Sequence, residues 1–211
     1  MALPPNTDLS IAQRANPPAA TTTTTTTTAT TPAAATPTTP LPGIIWKGAN
    51  PANWHSGRYK SIPVQAIVIH LMDGSLTGTD AWFNDPKAIV SAHYGIGHSG
   101  EIHQYVQESD TAYHAGRSLD STWIRQWPYP SANSFSIGIE HEDHLTDPWP
   151  DAMLASSARL IANICTRHQI PCDRQHIVGH HEIYSAKPCP GPLCPLDALV
   201  ARAAALTKAV L

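Results

Sequence analysis

The sequence has no excess of basic residues. Its 13 Lys and Arg are outnumbered by 16 Asp and Glu, and the formal net charge is −3. A protein that binds nucleic acid or anionic lipid through its charge carries a basic patch or a positive net charge. The composition therefore predicts no nucleic-acid partner.

Long apolar runs are absent as well. A transmembrane helix needs about 20 consecutive apolar residues, and no stretch of this chain reaches that length, so we expect no membrane insertion. Residues 1–19 also lack the apolar core of a secretory signal peptide. We therefore expect that the chain as given has no signal peptide, unless a precursor segment or a fusion has been removed.

Cysteine is scarce, whereas histidine is abundant. The four cysteines are too few for a disulfide-rich scaffold. Histidine occurs 12 times, and imidazole both binds zinc and transfers protons near neutral pH. The composition thus favours a metal or proton-transfer site, although most of the histidines are expected to be surface or packing residues.

The N-terminal residues 1–42 differ from the rest of the chain. They consist mostly of Thr, Pro and Ala, with an unbroken threonine run at residues 21–28. Because large apolar side chains are almost absent, burial cannot offset the entropy lost on ordering. We predict a disordered linker, with a plain disordered tail as the alternative. Residues 43–211 are predicted to form one catalytic domain, since this length suffices for a single core.

Within residues 43–211, strand patterns alternate with helical ones. Runs of β-branched residues and period-two alternation predict strands at 66–70, 90–97, 101–107, 134–142 and 176–179. Helical periodicity predicts helices at 79–84, 148–168 and 195–210. This alternation predicts an α/β fold with a mixed central β-sheet flanked by helices.

Residues 177–192, IVGHHEIYSAKPCPGP, contain the best candidates for metal ligands. His180 and Cys189 supply an imidazole and a thiol. Catalytic zinc usually takes three protein ligands and leaves a fourth position open, so a third ligand is expected from elsewhere. The best candidate is His70, at the end of the 66–70 strand. His180 and His181 are predicted to lie on an extended segment and to point in opposite directions, so only one of them faces the site.

Each proposed ligand also has a structural interpretation. His70 at the end of a buried strand is compatible with a hydrogen-bonded core histidine. Cys189 is alternatively a buried free thiol, a disulfide partner of Cys194, or one ligand of a closed structural zinc site. These alternatives stay open on the residues alone.

Two charged side chains are candidates for the chemistry. Glu140 lies in a strand of apolar residues, where a carboxylate is rarely buried without a function or a partner. Partial burial raises the pKa of a carboxyl toward the range that suits a general base; a salt bridge to an arginine is the alternative. Lys187, two residues before Cys189, either stabilises negative charge near the metal or is a surface lysine.

Six motifs occur in the same order as in a known family. They read AIVIH, SAHYGI, GEIHQYV, AYHAG, NSFSIGIEHE and VGHHEI-x3-K-x-CPGP. The sequence thereby resembles the zinc-dependent N-acetylmuramoyl-L-alanine amidases of the amidase-2 group, which is related to T7-type lysozyme and the peptidoglycan recognition proteins. The resemblance covers residues 50–195. It implies a mixed sheet with flanking helices and a groove with zinc at its bottom.

The resemblance implies a role for several individual residues. The zinc ligands fall on His70, His180 and Cys189, and the third ligand is Asp or Cys in different members. The catalytic glutamate of the bacterial recycling branch falls on Glu140, and the lysine near the third ligand falls on Lys187. The implied substrate-contacting residues are His93, His114 and Asn133.

One position departs from part of the family. The T7-like and recognition-protein branch has a catalytic tyrosine directly before the histidine of the SAHYGI motif. In this chain Ala92 precedes His93, and Tyr94, one residue beyond, is not assigned the role of that tyrosine. A glutamate at position 140 without the tyrosine fits the glutamate branch.

The implied activity is zinc-assisted hydrolysis of the amide that joins N-acetylmuramic acid to L-alanine in peptidoglycan. We expect a monomeric lytic enzyme of the phage-endolysin kind that acts from the host cytoplasm on the cell wall, or a secreted autolysin. Three alternatives stay open: a non-catalytic peptidoglycan-binding module, a structural zinc domain, and a recycling amidase that acts on soluble muropeptides.

Overall fold

A computed structural model describes residues 43–116, 121–129 and 131–208 of the 211-residue chain. The predicted linker at residues 1–42 lies outside the described residues. The described strands are β1 (Ile44–Trp46), β2 (Trp54–His55), β3 (Ala66–Leu71), β4 (Tyr94–Ile96), β5 (Ile102–Gln104), β6 (Thr111–Ala112), β7 (Ser136–His141) and β8 (Ile177–Gly179). The described α-helices are α1 (Leu76–Asn84), α2 (Asp151–His168), α3 (His180–Ile183) and α4 (Leu196–Lys208).

Six of these strands form one sheet in the order β1-β5-β4-β7-β3-β8. Strands β4 and β5, which lie within the predicted strands 90–97 and 101–107, form an antiparallel hairpin, and the other neighbours in the sheet are parallel. Strands β2 and β6 form a separate antiparallel pair. The predicted α/β fold with a mixed central sheet and flanking helices is confirmed.

Two helices begin at other residues than their periodicity predicts. The predicted 79–84 helix begins at Leu76, since the Ser75 hydroxyl caps it by accepting the N–H of Gly78 at 3.1 Å. The predicted 148–168 helix begins at Asp151, directly after Pro150. In the described part of the chain, none of the helices is both long and apolar enough to cross a membrane.

The alternation of side chains gives the sheet two different faces. Its first face carries the isoleucines of β3 and β7, which are fully buried with α2 and α4 in the main core: Ile67, Ile69, Ile137 and Ile139. On the second face the same two strands present small or polar side chains near their carboxyl ends. His70 and Glu140 belong to this second face, because they alternate with the core isoleucines.

A partly buried ion pair connects the end of α2 to the loop after β5. The carboxylate of Glu108 accepts hydrogen bonds from both guanidinium nitrogens of Arg167, from His168 at 2.7 Å and from the hydroxyl of Tyr94 at 2.8 Å. Burial alone would raise the pKa of Glu108, but the hydrogen bonds from Arg167 and His168 hold that pKa well below its usual range. This pair therefore stabilises the fold only while Glu108 is ionised.

We expect the Glu108→Gln substitution to lower the free energy of unfolding at pH 7 by about 2 kcal/mol. The folded-state pKa is depressed, so the contribution is complete above the unfolded-state pKa of about 4.3 and is lost as the pH falls below it. Chemical denaturation of metal-free protein at pH 7 and pH 3 measures the effect. The difference in the free energy of unfolding between wild type and variant should be smaller at pH 3 than at pH 7. An equal difference at both pH values would contradict the assignment.

The matched control is Asp197→Asn. Asp197 also pairs with an arginine, Arg174, at 2.8 Å, but its side chain is 92% exposed. Exposed ion pairs contribute little to stability because water and salt screen them. We therefore expect this variant to unfold at nearly the same denaturant concentration as the wild type at either pH.

Candidate active site

The register of the sheet brings the first two predicted site residues side by side. His70 on β3 pairs with Glu140 on β7, and Glu140 in turn pairs with Gly95 on β4. All three lie near the carboxyl ends of parallel strands, the edge at which open α/β sheets bind their ligands. Gly95 has no side chain to cover Glu140, and Tyr105 and Met72 fill the space above it.

Strand β8 delivers His180 to the same edge. Gly179, its last residue, pairs with Ile69 on β3, so the next residue lies beside His70. The predicted extended segment at His180 and His181 is wrong, because both residues lie in the first turn of α3. The helical turn still separates them: His180 is 8% exposed, whereas His181 is exposed.

Cys189 arrives from a proline-rich turn after α3. Its carbonyl oxygen accepts the backbone N–H of His181 at 2.8 Å, which ties the turn to α3. Its sulfur accepts the backbone N–H of Leu71 at 3.2 Å and lies 3.8 Å from Nδ1 of His70. The predicted disulfide alternative with Cys194 is not seen, since both cysteines are free thiols.

The three predicted ligands therefore lie together. One ligand atom from each of His70, His180 and Cys189 falls within 4.8 Å of the other two. The imidazole rings of His70 and His180 are 4.6 Å apart at their centroids. Within the described ranges, no fourth Asp, Glu, His or Cys joins this cluster. Such a group leaves one of four tetrahedral positions without a protein ligand.

The two histidines of the cluster are not protonated at neutral pH. Burial lowers the pKa of His70 well below 6.5, and the neighbouring His180 lowers it further. Burial, together with the charge of Lys187, lowers the pKa of His180 to about 4. Both imidazoles are therefore neutral at pH 7, the form that donates a lone pair to a metal.

Two buried polar groups of the cluster, in His180 and Cys189, favour the binding of a cation. Nε2 of His180 is buried and has no hydrogen-bond partner among the described residues. Burial and the proximity of Glu140 raise the pKa of the Cys189 thiol above its usual value. A thiolate at this position therefore needs a positive ion to compensate its charge. The donor set fits a metal such as zinc, and the residues present could hold one.

Glu140 combines partial exposure with a buried carboxylate tip. The residue as a whole is half-buried, but its Oε2 atom is buried and, in the described structure, has no hydrogen-bond partner. Burial raises the pKa of this carboxyl to about 8. The predicted alternative, a salt bridge to an arginine, is not found among the described residues. A carboxylate in this state is a stronger proton acceptor than one in water.

Lys187 lies on the exposed side of the cluster. Its side chain is exposed, but its charge lowers the pKa of both His70 and His180, so the ammonium is within electrostatic reach of the ligands. The side chain is therefore free to meet a bound molecule next to the cluster.

Three further residues are predicted to contact substrate; the structure places His114 against His70, and His93 and Asn133 next to His114. His114 is 8% exposed, and its Nδ1 lies 3.0 Å from Nε2 of His70. Asn133 is half-buried, and its side-chain oxygen accepts the backbone N–H of His114 and Ala115 at 3.2 and 2.8 Å. His93 is 0% exposed. A substrate contact stays a prediction for these residues, and their burial favours a supporting role.

The buried ring of His93 holds the backbone of β7. Its Nδ1 accepts the N–H of Gly138 at 3.1 Å, and its Nε2 lies 3.3 Å from the carbonyl oxygen of Asp110. Burial, with a smaller effect from the charge of Arg58, lowers the pKa of His93 to about 3. Tyr94, the next residue, packs in the main core on the other face of the sheet, which agrees with giving it no catalytic role.

Arg58 supports this region, although no sequence pattern indicates it. Its guanidinium donates to the carbonyl oxygens of Glu108 at 2.8 Å and of Ser136 at 3.3 Å, and it contacts His93 at 3.2 Å. Burial lowers the pKa of Arg58 to about 10. The loop sequence carries no periodic signal for such a burial, because the partners are carbonyl groups that any sequence supplies.

Comparisons with known proteins agree with this geometry. The sequence profile of a family described as N-acetylmuramoyl-L-alanine amidase matches residues 60–192. The chain is 37% identical over 131 residues to N-acetylmuramoyl-L-alanine amidase A of Achromobacter lyticus, which covers 61% of this chain and 64% of that protein. A solved structure of a selenomethionine derivative of AmpD superposes with a TM-score of 0.62 at 27% identity, covering 79% of this chain and 95% of the other.

A third similar protein was solved with a ligand. It is the N-acetylmuramyl-L-alanine amidase AmiD of E. coli, in complex with its substrate anhydro-N-acetylmuramic acid-L-Ala-D-γ-Glu-L-Lys; the TM-score is 0.56 at 27% identity, covering 66% of this chain and 57% of that chain. The chain spans 47–64% of the length of the curated relatives that it matches. The matched profile nevertheless covers more than half of the chain. The chain therefore belongs to the amidase-2 family of N-acetylmuramoyl-L-alanine amidases.

Proposed function

We propose that this protein is a zinc-dependent hydrolase that cleaves the amide bond between N-acetylmuramic acid and L-alanine in peptidoglycan. The observation that carries the proposal is the convergence of His70, His180 and Cys189 within 4.8 Å, beside the buried carboxylate of Glu140. Membership of the amidase-2 family and the substrate complex of the similar AmiD support the choice of bond.

Zinc is the metal that this donor set favours. Two imidazoles and one thiolate suit zinc, and three protein ligands with one open position are typical of catalytic rather than structural zinc sites. Zinc in such a site acts as a Lewis acid on the amide carbonyl and makes water acidic enough to react near neutral pH. The absence of a fourth protein ligand in the described part of the chain argues against a closed structural site.

In the proposed reaction Glu140 carries the proton. Its carboxylate takes a proton from the water that attacks the lactyl carbonyl carbon, and it then returns that proton to the nitrogen of L-alanine as the C–N bond breaks. The products are a lactyl carboxylate and a free amino terminus. The unpaired Oε2 of Glu140 and its partial exposure support this role. The Lys187 ammonium is proposed to stabilise the oxyanion that forms on the carbonyl oxygen.

Digestion of defined muropeptides tests the activity directly. Purified protein with zinc should release a peptide with a new L-alanine amino terminus, which mass spectrometry identifies. Metal analysis of the same sample should find about one zinc per chain. Binding to peptidoglycan without release of peptide would instead identify a binding module and refute the hydrolase proposal.

The biological role within this activity is a separate proposal. We propose a lytic role at the cell wall, with recycling of soluble muropeptides as the alternative. Comparison of turnover on intact cell-wall sacculi and on soluble anhydro-muropeptides separates the two. Efficient release from sacculi supports lysis, and turnover restricted to soluble fragments would replace it with recycling.

Lys187→Ala is expected to lower kcat by about 100-fold, the loss typical of removing one donor to an oxyanion. Zinc content should stay near that of the wild type, since Lys187 is not among the three clustered residues. Steady-state kinetics on a defined muropeptide, with metal analysis of each sample, measures both effects. The control is Lys87→Ala, which removes an exposed lysine that is not one of the clustered residues. Unchanged kcat in Lys187→Ala would remove this lysine from the mechanism.

A further inference from the structure

The ring of His114 lies directly behind the metal-facing ring of His70. Nδ1 of His70 is the nitrogen near Cys189, at 3.8 Å from the sulfur. The other nitrogen, Nε2, lies 3.0 Å from Nδ1 of His114. His70 thus has one nitrogen toward the proposed metal and one toward a second, buried imidazole.

The hydroxyl of Ser136 determines which nitrogen of His114 carries the proton. Its oxygen lies 2.6 Å from the carbonyl oxygen of Ala132, and because a carbonyl only accepts, the hydroxyl proton is donated there. The same oxygen lies 3.3 Å from Nε2 of His114. With its single proton already used, Ser136 can only accept at that contact, so the proton lies on Nε2 of His114.

The remaining protons follow from this first one. A neutral imidazole carries one N–H, so Nδ1 of His114 has a lone pair and accepts a hydrogen bond. The donor is Nε2–H of His70, which leaves Nδ1 of His70 without a proton. The lone pair that a metal requires is then on the nitrogen that faces Cys189.

We propose that His114 is a positioning residue whose hydrogen bond with His70, anchored by Ser136, fixes the tautomer and orientation in which His70 binds the metal. This inference rests on the proposed metal centre. It gives His114 a different function from the substrate contact that the sequence predicts, because the ring uses both nitrogens inside the protein.

The surrounding residues are arranged to accommodate this ring. A Cβ atom added to Gly138 would lie 2.4 Å from Cγ and 2.7 Å from Nδ1 of His114, so any larger residue at position 138 would displace the ring. Asn133 holds the backbone of the loop by accepting the N–H groups of His114 and Ala115. Both the sheet and the loop therefore restrict His114 to the position behind His70.

The test compares His114→Leu, which cannot accept a hydrogen bond, with His114→Gln, which can. Zinc dissociation constants are measured by competition with a chromophoric chelator. Loss of a residue that supports a metal-binding histidine costs about 10–100-fold in metal affinity, and we expect a loss of that size for His114→Leu and a partial recovery for His114→Gln. The control is His103→Gln, a buried histidine on the same sheet face that bonds Asp80 rather than a ligand; its zinc affinity should match the wild type.

A second measurement determines the tautomer of His70 and requires neither bound metal nor enzymatic activity. Two-bond ¹H–¹⁵N correlation spectra of zinc-free protein distinguish Nδ1–H from Nε2–H imidazoles. We expect His70 to be a single Nε2–H tautomer in the wild type and a mixture in His114→Leu. If that variant does not fold, Ser136→Ala should show the same change to a smaller extent, because it removes only the anchor.

The outcomes separate this inference from the proposed function. A wild type that binds zinc, with His114→Leu binding it equally well, overturns the positioning role and leaves the zinc centre intact. A wild type that binds no zinc refutes the metal centre on which the inference rests. A zinc-free wild type in which His70 carries its proton on Nδ1 overturns the inference whatever the zinc affinity is.

Discussion

Glu140→Gln is expected to lower kcat by about 1,000-fold or more, near the upper part of the range for loss of a general acid–base group. Glutamine has nearly the shape of glutamate but cannot accept and return a proton at neutral pH. The metal should stay bound, since Glu140 is not one of the three clustered ligands. Single-turnover digestion of a defined muropeptide, with zinc analysis of the same sample, measures both properties.

The matched control is Glu142→Gln, two residues further along the chain. Both oxygens of Glu142 already accept backbone N–H groups, from Leu76 at 3.1 Å and from His98 at 2.8 Å, so the carboxylate has a structural role at the start of α1. We expect this variant to keep most of its activity. Wild-type turnover in Glu140→Gln would refute the assignment of Glu140 as the base. Loss of zinc from Glu140→Gln would show that Glu140 supports metal binding instead.

Cys189→Ala is expected to weaken zinc binding by more than the 10–100-fold typical of a supporting residue, and to abolish turnover at low zinc concentration. Alanine removes one of the three donors and leaves two imidazoles, which do not complete a stable zinc site. A ligand that binds only the folded state at 100 times its dissociation constant stabilises that state by about 2.7 kcal/mol. The zinc-dependent increase in Tm should therefore disappear in this variant.

Cys189→Asp serves as the matched variant, because a carboxylate oxygen is also a zinc ligand. We expect it to retain zinc and part of the activity, whereas a loss equal to that of Cys189→Ala would mean that the site requires sulfur. Cys194→Ala removes a neighbouring free thiol that is not in the cluster. If Cys194→Ala lost zinc while Cys189→Ala kept it, the proposed ligand set would be wrong.

Much of the fold is predictable because burial and periodicity are local signals. The 66–70 run of β-branched residues is the centre of β3, which is buried on both faces. The hairpin is present as β4 and β5, which are shorter than the predicted runs because only the residues next to the turn, 94–96 and 102–104, pair as strands. Helix ends are less predictable, because a single residue, such as the capping Ser75 before α1 or Pro150 before α2, lies at the boundary.

The contacts that support the ligand His70 could not be predicted from the sequence. Alternation places Ser136 and Gly138 on the face of Glu140. Only the folded structure shows that the Ser136 hydroxyl lies 2.6 Å from the carbonyl oxygen of Ala132 and that the ring of His114 lies above Gly138. His114 comes from a loop, and loops carry no period from which a direction can be read. Its contact with His70 spans 44 residues of sequence.

The order of residues along the chain is sufficient to predict the sheet-and-helix composition, the family, and the residue types that can bind zinc and move a proton. The same order of residues does not show which nitrogen of His70 faces Cys189, or that His114 contacts the other nitrogen. Those properties depend on distances between segments far apart in sequence, and only the packed sheet, with its register and its closing loops, sets them.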